Sequence, residues 1–422
     1  MMTSVNGDEI RVGVVGVSRG MAHAEQASRV GMQVVALCDQ HENALRRAGE
    51  ALQVATYTDY DEFLGHDLDA VILANFFHQH APFAVKALRS GKHVMSEITA
   101  CKTLGEAVAL VRAVEDTGNI YMLAENYIYF AYVQEMRRLY QAGEIGEMQF
   151  GEGEYMSPFS AEVWNRLSPG LDHWRNTMPS TFYCSHGFGP IMYVTDTMPI
   201  SVNALSIPNF ESDEENLHVR RSDKASVRVC RMDNESLVSL NGHWLRGHGS
   251  WYRVHGTRGL MENLRDLDRQ EQLRVVHETW DMREGEVQEK VYKPEFPMLG
   301  DLAQSAGHRG GDLFTNYYFA KAIRENKQPW LDVYRGVAMS MVEIQGWRSC
   351  LENGAPVEIP DLRDEANQAR YEDDHWSPFP EDRGPGQPPP SIRGNVEPPA
   401  ESIAAAREIW RKTGYETDYG LH

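Results

Sequence analysis

Apolar and polar residues alternate along the first third of the chain in blocks that predict strands and helices in turn. Longer stretches of helical spacing separate the apolar runs, and residues 42–52 and 103–118 are the clearest of them. Five short runs are almost wholly apolar and each is bounded by turn residues: 11–17, 32–39, 69–76, 92–97 and 120–126. Short strands buried on both faces and joined by helices are typical of a parallel sheet. The pattern predicts an N-terminal α/β domain of the Rossmann type.

The pattern changes after about residue 130. A helix is predicted over 132–146, with a glycine stop, and two more over 313–328 and 337–354. Several runs between them alternate apolar and polar residues, as the strands of a half-exposed sheet do: 147–157, 201–208, 224–231, 235–244 and 252–263. The sequence therefore predicts a second domain of the α+β class on a mainly antiparallel sheet.

The last fifty or so residues have a different composition. Residues 377–400 are rich in proline and glycine and cannot form a regular element, whereas 401–416 have helical spacing. Trp376, Phe379, Ile403 and Trp410 are apolar anchors in this segment. Two interpretations stay open, a disordered tail and a tail that wraps the body or a neighbouring subunit. We expect a Rossmann domain over 1–128, an α+β substrate and oligomerisation domain over 129–370 and a C-terminal extension over 371–422.

Charge and cysteine content narrow the function. The 422 residues carry a formal net charge of −20, which argues against nucleic acid and anionic membrane surfaces as partners. Five scattered cysteines without a CxxC spacing argue against a disulfide framework or a zinc knuckle and favour the reducing cytoplasm. The first ten residues show no signal peptide, and no run approaches the length of a membrane-spanning helix.

The first strand leads into a turn that predicts a dinucleotide site. Gly16, Ser18, Arg19 and Gly20 form a partial glycine-rich turn at the start of a helix, where a backbone can approach a pyrophosphate. Asp39 ends the next strand about twenty residues on, where a carboxylate can accept both ribose hydroxyls and repel a 2′-phosphate. A simple turn and a helix N-cap are the alternative interpretations. Together these features predict NAD rather than NADP.

Motifs spread from about residue 10 to about residue 365 resemble the Gfo/Idh/MocA family, named for glucose–fructose oxidoreductase and inositol dehydrogenase. The matching stretches are the opening strand and turn, GKHVMSE (91–97), LAENY (123–127), YQAGEIGEMQFGEGEY (140–155), YRVHGTRGLMEN (252–263) and DVYRGVAMSMVEIQGW (332–347). The resemblance implies a Rossmann domain joined to a domain with a large open sheet, with substrate in the crevice between them. It also implies a homo-oligomer, a dimer or a tetramer, packed through that sheet.

One branch of the family, the NAD-dependent glycosidases best known as α-N-acetylgalactosaminidases, is more similar still. Like them, the chain lacks the usual Glu-Lys-Pro and has Glu97-Ile98-Thr99-Ala100 instead. The other shared positions are 124–129, Tyr155, 173–175, the stretch from Tyr183 through His186 to Pro190, and 308–312. The chain departs from that branch at Ser18, Thr99 and Arg309, and the residues after Tyr155 do not match the acetyl-sugar enzymes.

The resemblance implies roles for these residues in a glycoside cleavage that begins with oxidation of the sugar at C3. The ketone acidifies the C2 proton, the C1 substituent leaves, water adds and the hydride returns. By resemblance Tyr155 takes the C2 proton and His186 serves the C3 hydroxyl, with Tyr183 as a further proton-transfer group. The remaining expected site residues are, for cofactor binding, Asn75, His80, Glu97 and Asn126 and, for substrate binding, Trp174, Arg175, His308 and Asp312.

Other functions stay open. A net sugar or polyol dehydrogenase would need a base other than Ile98, and His186 or Tyr183 would serve. A lyase would stop after elimination, and a sugar or NAD sensor would bind without turnover. His173, His186, His308, Asp312 and Glu154 could instead gather around a metal, but carboxylates and imidazoles beside a sugar more often donate or accept hydrogen bonds. We therefore expect a carbohydrate substrate, NAD and no metal.

Overall fold

Six parallel strands form the first sheet of the protein, which a computed structural model describes over residues 9–209, 217–247 and 249–414. The strands are β1 (Ile10–Val15), β2 (Met32–Cys38), β3 (Ala55–Tyr57), β4 (Ala70–Leu73), β5 (His93–Ser96) and β6 (Tyr121–Leu123). Their order is β3-β2-β1-β4-β5-β6, the Rossmann order. The predicted α/β fold is confirmed.

Helices connect these strands. They are α1 (Gly20–Arg29), α2 (Glu42–Leu52), α3 (Tyr60–Leu64), α4 (His80–Arg89), α5 (Leu104–Thr117) and α6 (Ala131–Gln141). Local chemistry sets their ends, as in α5. Thr103 caps its N-terminus by accepting from Glu106 N, and Gly118 ends it in a left-handed conformation. Strand β3 was not predicted, because three residues that alternate in exposure at a sheet edge give too short a pattern.

The second sheet has nine strands in the order β14-β13-β12-β11-β7-β10-β9-β8-β15. They are β7 (Met148–Met156), β8 (Pro199–Ile207), β9 (Ala225–Met232), β10 (Leu237–His243), β11 (Gly249–Gly256), β12 (Gly259–Asn263), β13 (Leu273–His277), β14 (Glu289–Tyr292) and β15 (Val357–Glu358). The predicted run 252–263 is a hairpin, β11 and β12. The sheet is mainly antiparallel, as expected, but β7 and β10 run parallel at its centre.

The remaining helices complete two compact units. They are α7 (Ala161–Leu167), α8 (Trp174–Thr177), α9 (Ser185–Thr195), α10 (Gly300–Gln304), α11 (Gly311–Glu325), α12 (Val333–Leu351), α13 (Glu365–Tyr371) and α14 (Ala400–Lys412). The first unit takes the described residues of Met1–Ala142, Tyr292–Ser340 and Asp361–Asp373. The second takes those of Gly143–Val291, Met341–Pro360 and Asp374–His422. The domain boundaries drawn from the sequence remain a prediction.

The C-terminal extension contacts the second unit. Phe379 and Trp410 are buried there, and Trp376 packs against Trp347 of α12. Residues 415 and 416 of the predicted terminal helix, like the first eight residues of the chain, lie outside the described residues. Over the described ranges, no helix has the length and apolar character that crossing a membrane requires.

Candidate active site

The turn after β1 has the conformation that a pyrophosphate cradle needs. Gly16 has φ +90°, and a Cβ placed on it would lie 2.3 Å from the carbonyl oxygen of Ala74. Only glycine fits there, and the turn passes directly over the end of β4. Ser18 and Arg19 follow in the turn, and Gly20 begins α1.

Asp39 lies at the end of β2, beside this turn. Its Oδ2 accepts from Val17 N at 2.8 Å, and its Oδ1 accepts from His41 N at 2.8 Å. The carboxylate therefore holds the turn in place while lone pairs on both oxygens stay available for ribose hydroxyls.

Two asparagines at the carboxyl edge of the first sheet carry buried amide atoms that have no hydrogen-bond partner within the part of the chain that the structure describes. Both amide atoms of Asn75 are of this kind, as is Oδ1 of Asn126. Buried polar atoms of native proteins find hydrogen-bond partners. Together with the Gly16 cradle, these amide groups fit NAD, which offers phosphates, ribose hydroxyls and a carboxamide.

His80 has a different position. Its Nδ1 lies 2.9 Å from the carbonyl oxygen of Thr99, and its Nε2 lies 3.3 Å from that of Asn75. Burial lowers the pKa of this imidazole, so it stays neutral. The ring joins two loops at the sheet edge, which indicates a supporting role beside the cofactor site.

Arg19 is held by two carboxylates rather than left open to solvent. Its Nε donates to Glu97 Oε1 at 2.6 Å. Its two terminal nitrogens donate to the two oxygens of Asp312 at 2.9 and 2.7 Å, a bidentate pair. Burial opposes ionisation of both carboxyls, but Arg19 outweighs it. The pKa values of Glu97 and Asp312 therefore stay well below their usual range.

Asp312 has no acceptor position left for a substrate. Its Oδ1 also accepts from Asn126 Nδ2 at 2.8 Å, and its Oδ2 lies 2.8 Å from His308 Nδ1. With the two bonds from Arg19, the four lone-pair positions of the carboxylate are occupied. Asp312 thus holds Arg19, Asn126 and His308 in place. Direct substrate binding by Asp312, which the resemblance implied, stays a prediction.

Two further members of this network are His23, which the sequence suggests to be structural or peripheral to the cofactor, and Asn316, which sequence reasoning missed. Asn316 Nδ2 donates to the carbonyl oxygen of Asp312 at 2.9 Å and lies 3.0 Å from His23 Nδ1. The amide donor makes Nδ1 the acceptor, so the hydrogen of a neutral His23 is on Nε2, which lies 2.8 Å from Glu97 Oε1. The spacing of 293 residues between the partners left no signal in the sequence.

The second unit brings the three expected catalytic residues together. The rings of Tyr155, on β7, and His186, in the first turn of α9, have centroids 4.7 Å apart. A Cβ on Gly153 would lie 2.1 Å from the carbonyl oxygen of Gly187, so β7 and α9 approach this closely only because residue 153 is glycine.

Tyr183 stands beside this pair in a rare conformation. Its φ is +64°, which costs a bulky residue about 1–3 kcal/mol, and such strain clusters at functional sites. Its ring centroid lies 6.0 Å from that of His186. Tyr155 and Tyr183 line one small cavity together with backbone of Gly153 and Gly187.

His243, which the sequence did not single out, lines the same cavity. Its ring centroid lies 5.7 Å from that of Tyr155 and 5.4 Å from that of Tyr183. Its Nδ1 lies 3.1 Å from the carbonyl oxygen of Phe182, which places a hydrogen on Nδ1. Its buried Nε2 has no hydrogen-bond partner among the described residues. Burial, assisted by Arg228, lowers the pKa of His243, which keeps the ring neutral. A lone histidine at a strand end carries no motif that could have revealed it.

Trp174 and Arg175 form a separate cluster of the second unit. The ring of Trp174 stacks on His173 at 5.4 Å, and the guanidinium of Arg175 lies 4.4 Å from the centre of the Trp174 ring. His173 also caps α8 by accepting from Arg175 N. Within the described ranges, no group of three or more His, Cys, Asp or Glu side chains is arranged to hold a metal ion.

Comparison with known proteins agrees with this geometry. Residues 10–125 match the profile of the Gfo/Idh/MocA oxidoreductase family, NAD-binding Rossmann fold, and residues 212–367 match the C-terminal domain of glycosyl hydrolase 109. A relative from Shewanella sp. (strain ANA-3), named glycosyl hydrolase family 109 protein 1, is 26% identical over 390 residues, covering 84% of this chain and 85% of its own. An alpha-N-acetylgalactosaminidase from Shewanella oneidensis is 24% identical over 389 residues, with the same coverage.

Solved structures show the same fold. Levoglucosan dehydrogenase in complex with NADH and L-sorbose superposes with a TM-score of 0.72 at 18% identity, over 84% of this chain and all of that one. An oxidoreductase from Agrobacterium radiobacter in complex with NAD+ gives a TM-score of 0.68 at 14% identity, over 83% and 98%.

The fold and the cofactor turn define an NAD-dependent enzyme with a Rossmann domain and a large mixed sheet. Within that class the chain is similar to the Gfo/Idh/MocA oxidoreductases over residues 10–125 and to the C-terminal domain of glycosyl hydrolase 109 over residues 212–367.

The ion pairs of Arg19 with Glu97 and Asp312 make the protein less stable as the pH falls into the acid range. The folded-state pKa of Asp312 is depressed, so its contribution is complete above the unfolded pKa of about 4 and is lost as the pH falls below it. We expect Asp312→Asn to lower the free energy of unfolding at pH 7 by about 3 kcal/mol and to flatten its decline between about pH 4 and pH 2. Urea unfolding across this range measures both.

The matched control is Asp301→Asn, which removes an exposed carboxylate of α10 and is expected to retain the wild-type curve. Equal acid slopes for the wild type and Asp312→Asn would show that the network does not contribute as described.

Proposed function

We propose that this protein is an NAD-dependent glycosidase that cleaves its substrate by transient oxidation at C3, elimination and return of the hydride. One observation carries the proposal. Two proton-transfer groups, Tyr155 and His186, lie in ring contact in the second unit, while the position after Glu97 holds Ile98. A simple dehydrogenation needs one base, and an oxidation followed by elimination needs two.

NAD, when bound at the Gly16 turn, supplies the reversible hydride acceptor. Gly16, Ser18 and Gly20 would face its pyrophosphate, Asp39 its ribose, and the amides of Asn75 and Asn126 its remaining polar groups. Glu97 and Arg19 neutralise each other at this edge, so they add little net charge beside the cofactor.

The chain's own residues then move protons. His186 takes the proton of the C3 hydroxyl and gives it back at the end of the cycle. Tyr155 removes the C2 proton that the C3 ketone has made acidic, and the C1 substituent leaves. Water then adds at C1, and Tyr155 returns a proton to C2 before the hydride returns to C3. Tyr183, fixed in its strained conformation, holds the hydrogen-bonding geometry around these two groups. The ring contact between Tyr155 and His186 supports a coupling between the two proton transfers.

The substrate that we propose is a glycoside of a neutral sugar. The names of the relatives support a carbohydrate, and the net charge of −20 disfavours an anionic one. The sugar is not taken over from the relatives, because the residues after Tyr155 differ from those of the acetyl-sugar enzymes.

A panel of α- and β-nitrophenyl glycosides tests the proposal, with phenol release and nicotinamide reduction followed together. We expect phenol release without net NADH. NADH accumulation without phenol would show a net dehydrogenase, an unsaturated product would show a lyase, and binding without turnover would show a sensor. Each of these would overturn the glycosidase.

A single substitution distinguishes the role of Tyr155 in proton transfer from that of His186. Tyr155→Phe removes the group that takes the C2 proton, so phenol release should fall at least a hundredfold. Reduction of a 3-keto sugar by NADH should persist, because it uses His186. Tyr193→Phe, in the later part of α9, is the control and should leave both rates unchanged. Loss of neither activity in Tyr155→Phe would refute the assignment.

We also propose that the protein is a cytoplasmic homo-oligomer, a dimer or tetramer that packs through the second sheet. Leu205 and Val227 are register partners on β8 and β9, and both are largely exposed, which supports a covered sheet face. The five cysteines all lie in the described ranges, where they are buried and form no disulfide, as suits a reducing compartment. Light scattering would give the mass in solution, and a monomer would contradict the assembly.

A further inference from the structure

The C-terminal extension contacts the segments that carry the candidate catalytic residues. Most of its described part, residues 374–414, belongs to the second unit and lies outside both segments that match family profiles, 10–125 and 212–367. The family domains therefore do not account for it. Two of its aromatic side chains, Phe379 and Trp410, pack toward one place, the ring of His243.

Phe379 contacts Phe182 directly. Its side chain is fully buried, and the two rings meet edge to face with centroids 5.7 Å apart. The turn around Phe379 is closed by its own hydrogen bonds, since Ser377 Oγ donates to Asp382 Oδ2 at 2.6 Å and Ser377 N donates to Gln387 Oε1 at 2.8 Å. These hydrogen bonds thus hold the turn that places the Phe379 ring against Phe182.

Phe182 transmits this contact to the cavity in two ways. Its carbonyl oxygen accepts from His243 Nδ1 at 3.1 Å, which fixes the tautomer of that ring and leaves Nε2 as an acceptor. Its peptide leads into Tyr183, whose φ of +64° persists only where the surroundings impose it. A shift of Phe182 would release both constraints.

Trp410 is connected to His243 indirectly, by a second series of contacts. Its Nε1 donates to the carbonyl oxygen of Asn165 at 2.8 Å, and α14 packs on α7. The neighbouring Trp164 of α7 meets Trp244 edge to face at 4.8 Å, and Trp244 lies 3.8 Å from the His243 ring. Both series of contacts therefore end at the ring of His243, whose Nε2 has no hydrogen-bond partner among the described residues.

Other contacts of the extension lie away from the cavity. Trp376 packs against Trp347 and Cys350 of α12, under the guanidinium of Arg348. Pro389 accepts from Trp347 Nε1 at 3.0 Å. These contacts attach the extension to α12, and they supply a control.

We propose that the extension is a positioning element of the candidate active site, acting through Phe379 on Phe182 and from there on His243 and Tyr183. Phe379 is the positioning residue, because it contacts Phe182 and is not itself among the residues that line the cavity. The neutral, oriented His243 ring then presents Nε2 as a hydrogen-bond acceptor beside Tyr155 and Tyr183. The role in turnover rests on the proposed glycosidase function, whereas the effect on the His243 ring does not.

The test compares three variants of the full-length holoenzyme. Phe379→Ala opens a cavity beside Phe182, Phe379→Leu keeps most of the apolar volume, and Trp376→Ala removes a larger ring from the attachment to α12. In phenol release, we expect kcat of Phe379→Ala to fall at least tenfold with KM changed less than threefold, because misplacement of catalytic groups by about 1 Å can cost a hundredfold in rate. Phe379→Leu should recover most of the rate, and Trp376→Ala should retain kcat although it lowers the melting temperature.

A second readout does not depend on turnover. Imidazole ¹⁵N spectra of histidine-labelled protein report which ring nitrogen carries the hydrogen, and the His243 signals are identified by their loss in His243→Gln. We expect a single Nδ1–H form in the wild type and in Trp376→Ala, and a mixture of tautomers in Phe379→Ala.

The outcomes separate the two claims. If the wild type releases no phenol but the tautomer changes as described, the proposed function fails and the positioning role stands. If Phe379→Ala keeps the pure Nδ1–H form and wild-type kcat, or if Trp376→Ala has the same effects as Phe379→Ala, the extension only adds stability and the inference is wrong.

Discussion

The candidate active site depends on one close approach of backbone to backbone, where the first turn of α9 lies against β7 at Gly153. A methyl group on that glycine would lie 2.1 Å from the carbonyl oxygen of Gly187. Because the two elements meet here, the ring of His186 contacts that of Tyr155, and the strained Tyr183 lies next to them. The parallel pairing of β7 with β10 then brings His243 to the same cavity. Side chains held at fixed positions in this way can serve as proton donors and acceptors.

In the first unit, two carboxylates of like charge lie close together at the edge of the parallel sheet. Glu97 and Asp312 are both ionised in partly or fully buried positions, and the guanidinium of Arg19 lies between them. Where relatives with a Glu-Lys-Pro motif have a lysine, this chain has Ile98, and the cation nearest to Glu97 comes from the turn after β1. Arg19 is therefore the centre of a charge network, and its expected contact with the cofactor stays a prediction.

The sequence predicted the fold well because alternation and glycine placement are local properties. The apolar runs of β1, β2, β4, β5 and β6 and the alternating runs of the second sheet follow from periodicity alone. Strand β3 was missed because three residues carry too little pattern. The partners of Arg19 and the position of His243 were missed because they depend on contacts between residues far apart in the chain, which no local signal encodes. The packing of the extension was left open for the same reason, although its aromatic anchors were visible.

The most direct test of the central claim is deuterium incorporation at C2 of the released sugar after turnover of a glycoside in D₂O. Elimination from a C3 ketone exchanges the C2 proton with Tyr155 and solvent before water adds, so the account predicts one deuterium at C2, found by mass spectrometry and located by NMR. A product that is released with its original C2 hydrogen intact would show direct hydrolysis and would contradict the account.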